Sequence, residues 1–138
     1  MKQLMSSNVF ELEGTVIICG SCLPNMDPSA FNKLKHISNN IFFTCLEETH
    51  MNMVAHKIAS VLRLGKVKNL IMVSVNKSPH CVQLHYMRYE LEKIMNLRDI
   101  SVISYTTFNG NLVEVSPKTI SLSKNLVELQ KLRKNTKS

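Results

Sequence analysis

Four runs of apolar, largely β-branched residues recur along this chain of 138 residues, and turns with helix-period stripes separate them. The runs are Thr15-Val16-Ile17-Ile18-Cys19, Ile41-Phe42-Phe43-Thr44-Cys45, Leu70-Ile71-Met72-Val73-Ser74-Val75 and Ile100-Ser101-Val102-Ile103-Ser104-Tyr105. The first three are continuous, not alternating, which is the pattern of strands covered on both faces. Phe31 and Leu34 mark a helix after the first run; Met53, Val54, Ile58, Val61 and Leu62 mark one after the second. Val82, Leu84, Met87, Leu91 and Ile94 mark another, over about residues 81–96. Asp27-Pro28 is a helix start, with Asp as the cap and Pro at the first helical position, and Gly65 is a helix stop. Connections of this length do not make hairpins, so consecutive runs pair in parallel through right-handed crossovers.

The expected fold is therefore α/β: a three-layer, Rossmann-like, mostly parallel sheet of four to five strands with helices on both faces. Leu112-Val113-Glu114-Val115 supplies the fifth strand, folded back through an Asn109-Gly110 turn. Ser123 is read as the cap of a last amphipathic helix carrying Leu126, Leu129 and Leu132. Residues 1–8 read as a polar lead-in, and residues 9–14 as a short edge strand or a turn. No repeat or linker divides the chain, so residues 1–138 form one domain whose end, from about 123, is a basic helix or tail.

A hydrophobic fraction of 44% with 20% charged residues is that of a water-soluble globular protein. No apolar run approaches the ~20 residues of a membrane span, and the first residues lack the apolar core of a signal peptide. The expectation is a cytoplasmic protein without a membrane partner, as monomer or homo-oligomer. Thiols stay reduced there, so four cysteines point to metal or catalysis before a disulfide framework. The net charge of +7 is concentrated partly at Lys131, Arg133, Lys134 and Lys137. That cluster suits nucleic acid, or, more simply, a solvated helix end whose cations favour the helix dipole. The absence of Trp weakens any single-strand stacking platform.

The cysteines carry the functional reading. Cys19 and Cys22 follow the first run, Cys45 ends the second, and Cys81 follows the third. In a parallel sheet all strand C-termini share one edge, so three segments deliver four sulfurs and His80 to one crevice. Cys19, Cys22, Cys45, His80 and Cys81 are thus the candidate metal ligands, for zinc or an iron–sulfur cluster, between which spacing alone does not choose. Three readings stand beside this one. The cysteines are small core residues; or Cys19 and Cys22 form a redox pair with Cys81 as a nucleophile aided by His80 or His85; or the chain is a non-catalytic module binding nucleic acid or protein. His85, one turn beyond Cys81, is either a ligand or a satisfied interior histidine. His50 and His56 do not share a helix face, and His36 reads as a surface residue at a helix C-terminus. Glu47 and Glu48 lie on the same expected edge as acid/base groups, ligands or solvated side chains.

Over about residues 15–96 this pattern resembles the β-class carbonic anhydrases. There a buried strand ends in a zinc-binding Cys, an Asp-Pro pair opens the next helix, and a Val-rich strand leads to a His and a Cys that bind the metal. Cys19, Asp27-Pro28, Leu64-Gly65, residues 70–75 and His80-Cys81 stand in those places. The resemblance implies a metal at Cys19 and Cys81 and, for the family, a zinc lyase. Gly20-Ser21-Cys22 replaces the family's Asp-Ser-Arg, so its catalytic Asp/Arg dyad is absent, and a further thiol, Cys22 or Cys45, would close the coordination sphere.

Overall fold

The computed structural model describes residues 2–136, so the basic cluster's Lys137 lies outside the described residues. The strands are β1 (Glu13–Gly20), β2 (Ile41–Thr44), β3 (Lys66–Ser74), β4 (Ser101–Phe108) and β5 (Asn111–Glu114). The helices are α1 (Leu23–Met26), α2 (Pro28–Lys35), α3 (Met51–Leu64), α4 (Gln83–Ile94), α5 (Pro117–Leu122) and α6 (Leu126–Thr136). The five strands lie in the order β2-β1-β3-β4-β5. Every pairing is parallel except that of β4 with β5, which is antiparallel.

Alternation along the strands divides the core. Val16, Ile18, Phe42, Leu70 and Met72 pack with Val54 and Ile58 of α3 and with Leu84, Met87 and Leu91 of α4. Ile17, Cys19, Phe43, Ile71 and Val73 pack on the other face with Leu23 of α1 and Leu34 of α2. Both faces of the central strands are therefore covered, which is why the runs read as continuous. The antiparallel β5 hangs on the expected turn: Asn109 and Gly110 both have positive φ, 48° and 82°, the combination a two-residue hairpin needs.

Three segments differ from expectation. The lead-in is not merely polar: Leu4 is fully buried, and Gln3 bridges to Phe43 in parallel, so this segment lies along the outer edge of β2 and shields its backbone. Residues 9–14 form a 3-10 turn over Val9–Glu11 and then the start of β1. Ser123 ends α5 instead of opening the last helix. Ser116-Pro117 supplies the start signal for α5, and Asn125 takes over the capping role for α6, its Oδ1 accepting from Glu128 N at 3.1 Å. Residues 126–135 of α6 are all exposed, Leu126 to 77%. No helix among the described residues is long and apolar enough to cross a membrane.

Asp27 joins the start of α2 to the β4–β5 turn. Its Oδ1 accepts from Ala30 N at 3.2 Å and caps α2, while Oδ2 accepts from Gly110 N at 3.1 Å in the β4–β5 turn. Removing the carboxylate strands two backbone donors. Asp27→Ala is expected to lower stability by about 2 kcal/mol in urea unfolding, and Asp27→Asn by less; equal losses would mean that the cap and the clamp are not what the residue supplies.

Candidate functional site

From β1 the chain crosses to β2 on one side and then to β3 on the other. The strand order reverses there, between the C-terminal ends of β1 and β3, and open α/β sheets keep their ligand crevice at such a point. Two loops flank it. After β1 comes Ser21-Cys22, whose Ser21 N donates to Thr44 O of β2 at 3.0 Å. After β3 comes the loop to His80-Cys81, folded back by Ser78 N on Val75 O at 3.1 Å and by Lys77 in the left-handed region at φ 71°. A lysine in that region costs about 1 kcal/mol, so the surrounding bonds hold the loop in shape. Ser78 Oγ also accepts from Cys81 N at 3.3 Å, fixing the cysteine backbone. Cys81 was expected to open the helix; it lies in the preceding turn, and α4 begins at Gln83.

The four cysteines are all free thiols, and they lie at or just beyond this edge in different environments. Cys19, the penultimate residue of β1, is fully buried among Ile17, Leu23 and Val73. Burial pushes its thiol up to about 12, and the neighbouring Cys81 and Cys22 push the same way. Cys22 is exposed, yet partial burial raises its thiol above the ordinary value, and the neighbouring Cys81 pushes the same way. Cys45 is half-buried and acts on Cys22 through charge. Cys81 is buried, and its sulfur lies over the backbone of Gly20: a Cβ at Gly20 would meet Cys81 Sγ at 2.5 Å.

His80 is exposed, and its Nε2 lies 3.8 Å from Glu47 Oε2, so the loops bearing Cys45 and Cys81 meet across the crevice. Both partners are well solvated, and such a contact contributes little to stability; its value here is to place the loops. Glu48 is exposed. Among the described residues no three His, Cys, Asp or Glu side chains form a group that could hold a metal ion. An opening of about 780 Å³ beside residues 92–98 is on the loop leading into β4, at the opposite rim, and no thiol lines it.

The remaining histidines separate cleanly. His50 caps α3, its Nδ1 accepting from Asn52 N at 3.2 Å, while His36 and His56 are exposed on helices or their ends. His85 is the interior histidine. Only 2% exposed, it meets Ser74 Oγ at 2.8 Å through Nε2, and its Nδ1 is buried without a partner. A buried bare lone pair costs less than a stranded N–H, which assigns the proton to Nε2, donating to Ser74. The sequence reasoning named no Ser74–His85 pair; the signal was available in the serine closing a buried strand and a histidine inside the apolar stripe of α4.

A family model described as a Rossmann-like domain matches residues 11–138, which agrees with the strand order and the switch-point crevice. The chain belongs to the Rossmann-like domain family. No curated protein and no solved structure matches it. The first turn of this Rossmann-like domain, Gly20-Ser21-Cys22-Leu23-Pro24, has one glycine where a dinucleotide fingerprint has three, and that glycine serves a sulfur.

Two outcomes follow from the site. Gly20→Ala is expected to displace the Cys81 side chain and cost about 1–3 kcal/mol; unfolding midpoints and the rate of Cys81 alkylation check this, and unchanged values for both would remove the close approach from consideration. His85 gives a pH dependence. Burial lowers its folded value from 6.5 to about 4, so between those values the unfolded chain binds a proton that the folded one refuses. Stability is full above about 6.5, falls as the pH drops towards about 4, and levels off below. The loss is about 3 kcal/mol, and His85→Gln should flatten it in urea titrations; an identical slope in the variant would assign the dependence to other groups.

Proposed function

We propose that this Rossmann-like domain is a cysteine-centred metal-binding protein whose crevice takes zinc or an iron–sulfur cluster. The observation that carries the reading is topological: the loops after β1, β2 and β3 bring Cys22, Cys45 and Cys81 to the same edge of the sheet, with His80 next to Cys81 in sequence. Their chemistry suits a soft or borderline metal: three sulfurs and one imidazole make a tetrahedral zinc set, and sulfurs suit iron–sulfur clusters. Cys19 fits less well. Its proton is held by burial, so the proposed first choice is Cys22, Cys45, Cys81 and His80, with Cys19 packing the floor. Because no group of three donors able to hold a metal stands among the described residues, loading requires the loops to rearrange. A bound zinc would brace the loops and a cluster would carry single electrons.

What the chain itself does is position. The parallel register brings the strand ends level, Ser78 holds the Cys81 backbone, and the His80–Glu47 contact draws the loops together. With both Cys22 and Cys45 counted as ligands the proposed set is closed, so the proposal does not extend to hydration of carbon dioxide. The test is elemental analysis with an optical spectrum on protein prepared and reconstituted without oxygen. About one zinc, or brown iron absorption, per chain is expected, falling sharply in Cys22→Ser, Cys45→Ser and Cys81→Ser. Less than about a tenth of a metal per wild-type chain would sink the reading.

A further inference from the structure

The β4–β5 turn carries no thiol and takes no part in the proposed metal site, yet it holds a reactive pair of residues. Of the four glycines in the chain only Gly110 follows an asparagine. We infer that Asn109 is a modification site, deamidated when the backbone nitrogen of Gly110 attacks its side chain, and that Asp27 holds the folded chain back from this reaction. Asn109 is exposed and lies in the left-handed region at φ 48°, with Gly110 at φ 82°. A glycine after the asparagine puts no side chain beside the attacking nitrogen, so the local sequence favours the reaction. The fold opposes it at the same atom. Gly110 N donates to Asp27 Oδ2 at 3.1 Å, and the start of α2 closes on Gly110, where a Cβ would meet Ser29 Cβ at 3.2 Å. Lys33 Nζ, also on α2, donates to Asn111 Oδ1 at 2.6 Å. The peptide between Asn109 and Gly110 is thus strapped to α2. Its N–H stays aimed at a carboxylate, and its nitrogen does not swing onto the Asn109 carboxamide.

Water is the only co-reactant. Gly110 N loses its proton to water and bonds to the carboxamide carbon of Asn109; the amide nitrogen takes up a proton and leaves as ammonia, and a ring imide joins side chain to backbone. Water then opens the imide at either carbonyl. Opening at the side-chain carbonyl gives aspartate, which tolerates the left-handed region much as asparagine does. Opening at the backbone carbonyl gives isoaspartate, whose main chain runs through the side-chain carbons and is one methylene longer. That product cannot keep a two-residue turn, so β5 loses its register on β4 and Gly110 its place at Asp27. One water enters, one ammonia leaves, and nothing is oxidised or reduced. Asp27 therefore guards the geometry of the hairpin it clamps: each opening of its bond to Gly110 frees the nitrogen to react.

The experiment ages the full chain at mildly alkaline pH, folded and in urea. Deamidation at each asparagine is mapped by peptide mass spectrometry, with isoaspartate told from aspartate by chromatographic retention. Asn109 is expected to deamidate in urea and to do so about tenfold more slowly in the folded chain, the factor that a hydrogen bond to a carboxylate supplies. Asp27→Ser leaves one oxygen, which caps α2 and offers nothing to Gly110; it should raise the folded-state rate at Asn109 roughly tenfold. Ile58→Val loosens the core under α3 and leaves the turn alone, so it should not raise that rate. Far-UV dichroism confirms that each variant is folded, and the comparison of folded with urea-unfolded wild type needs no variant. No deamidation at Asn109 in urea, equal rates folded and unfolded, an Asp27→Ser rate no higher than that of the wild type, or an Ile58→Val rate that rises as far as that of Asp27→Ser would overturn the assignment.

Discussion

The parallel ladder between β1 and β3 is the constraint from which the site follows. Its register sets Cys19 opposite Val73, so the two strands end almost level and their loops leave from the same edge. Because β2 and β4 are added on opposite outer sides, the loops after β1 and β3 have no strand crossing between them, and a crevice opens there. A slip of one residue in this pairing would turn the Val16 and Ile18 side chains from the α3–α4 layer to the α1–α2 layer and carry Cys19 the other way. The core on both faces thus specifies the register, and the register levels the sulfurs.

The fold was largely legible because buried parallel strands announce themselves as unbroken β-branched runs, and residues 15–19, 41–45 and 70–75 are such runs. The hairpin was legible through one dipeptide, Asn109-Gly110, whose backbone only a few residue types accept. What failed was local. Ser123 and Asn125 are both good caps, and the choice between them rests on where α5 stops, which Ser116-Pro117 decides from seven residues upstream. The burial of Leu4 was unreadable because it depends on a vacant edge of β2, a property of the assembled sheet and not of residues 1–8.

The gathering of the cysteines was legible from topology alone; their inequality was not. Cys19 and Cys22 are three residues apart in one motif, yet one is sealed in an apolar layer and the other faces solvent, because the strand ends at Gly20 and the chain turns outward at Ser21. The approach of the Cys81 sulfur to the β1 turn depends on the absence of a side chain at Gly20, and no spacing rule marks it. His85 shows the same limit from the other direction. Its place four residues after Cys81 put it near the crevice, but the alternation of β3 sends Ser74 to the α3–α4 face and His85 follows it there, neutral and hydrogen-bonded.

A sulfur lone pair donated to a metal requires a deprotonated thiol, so the burial that separates the cysteines also ranks them as ligands. Cys19 is sealed with Leu23 in the α1–α2 layer, its proton held up to about 12, and releasing that proton there would leave a charge among apolar side chains. Cys22 is open to water on the loop that follows, and Ser78 anchors the backbone of Cys81. The strand end at Gly20 therefore divides one short motif into a packing thiol and a loop thiol, and the metal proposed for the crevice would draw on the loop side of that divide.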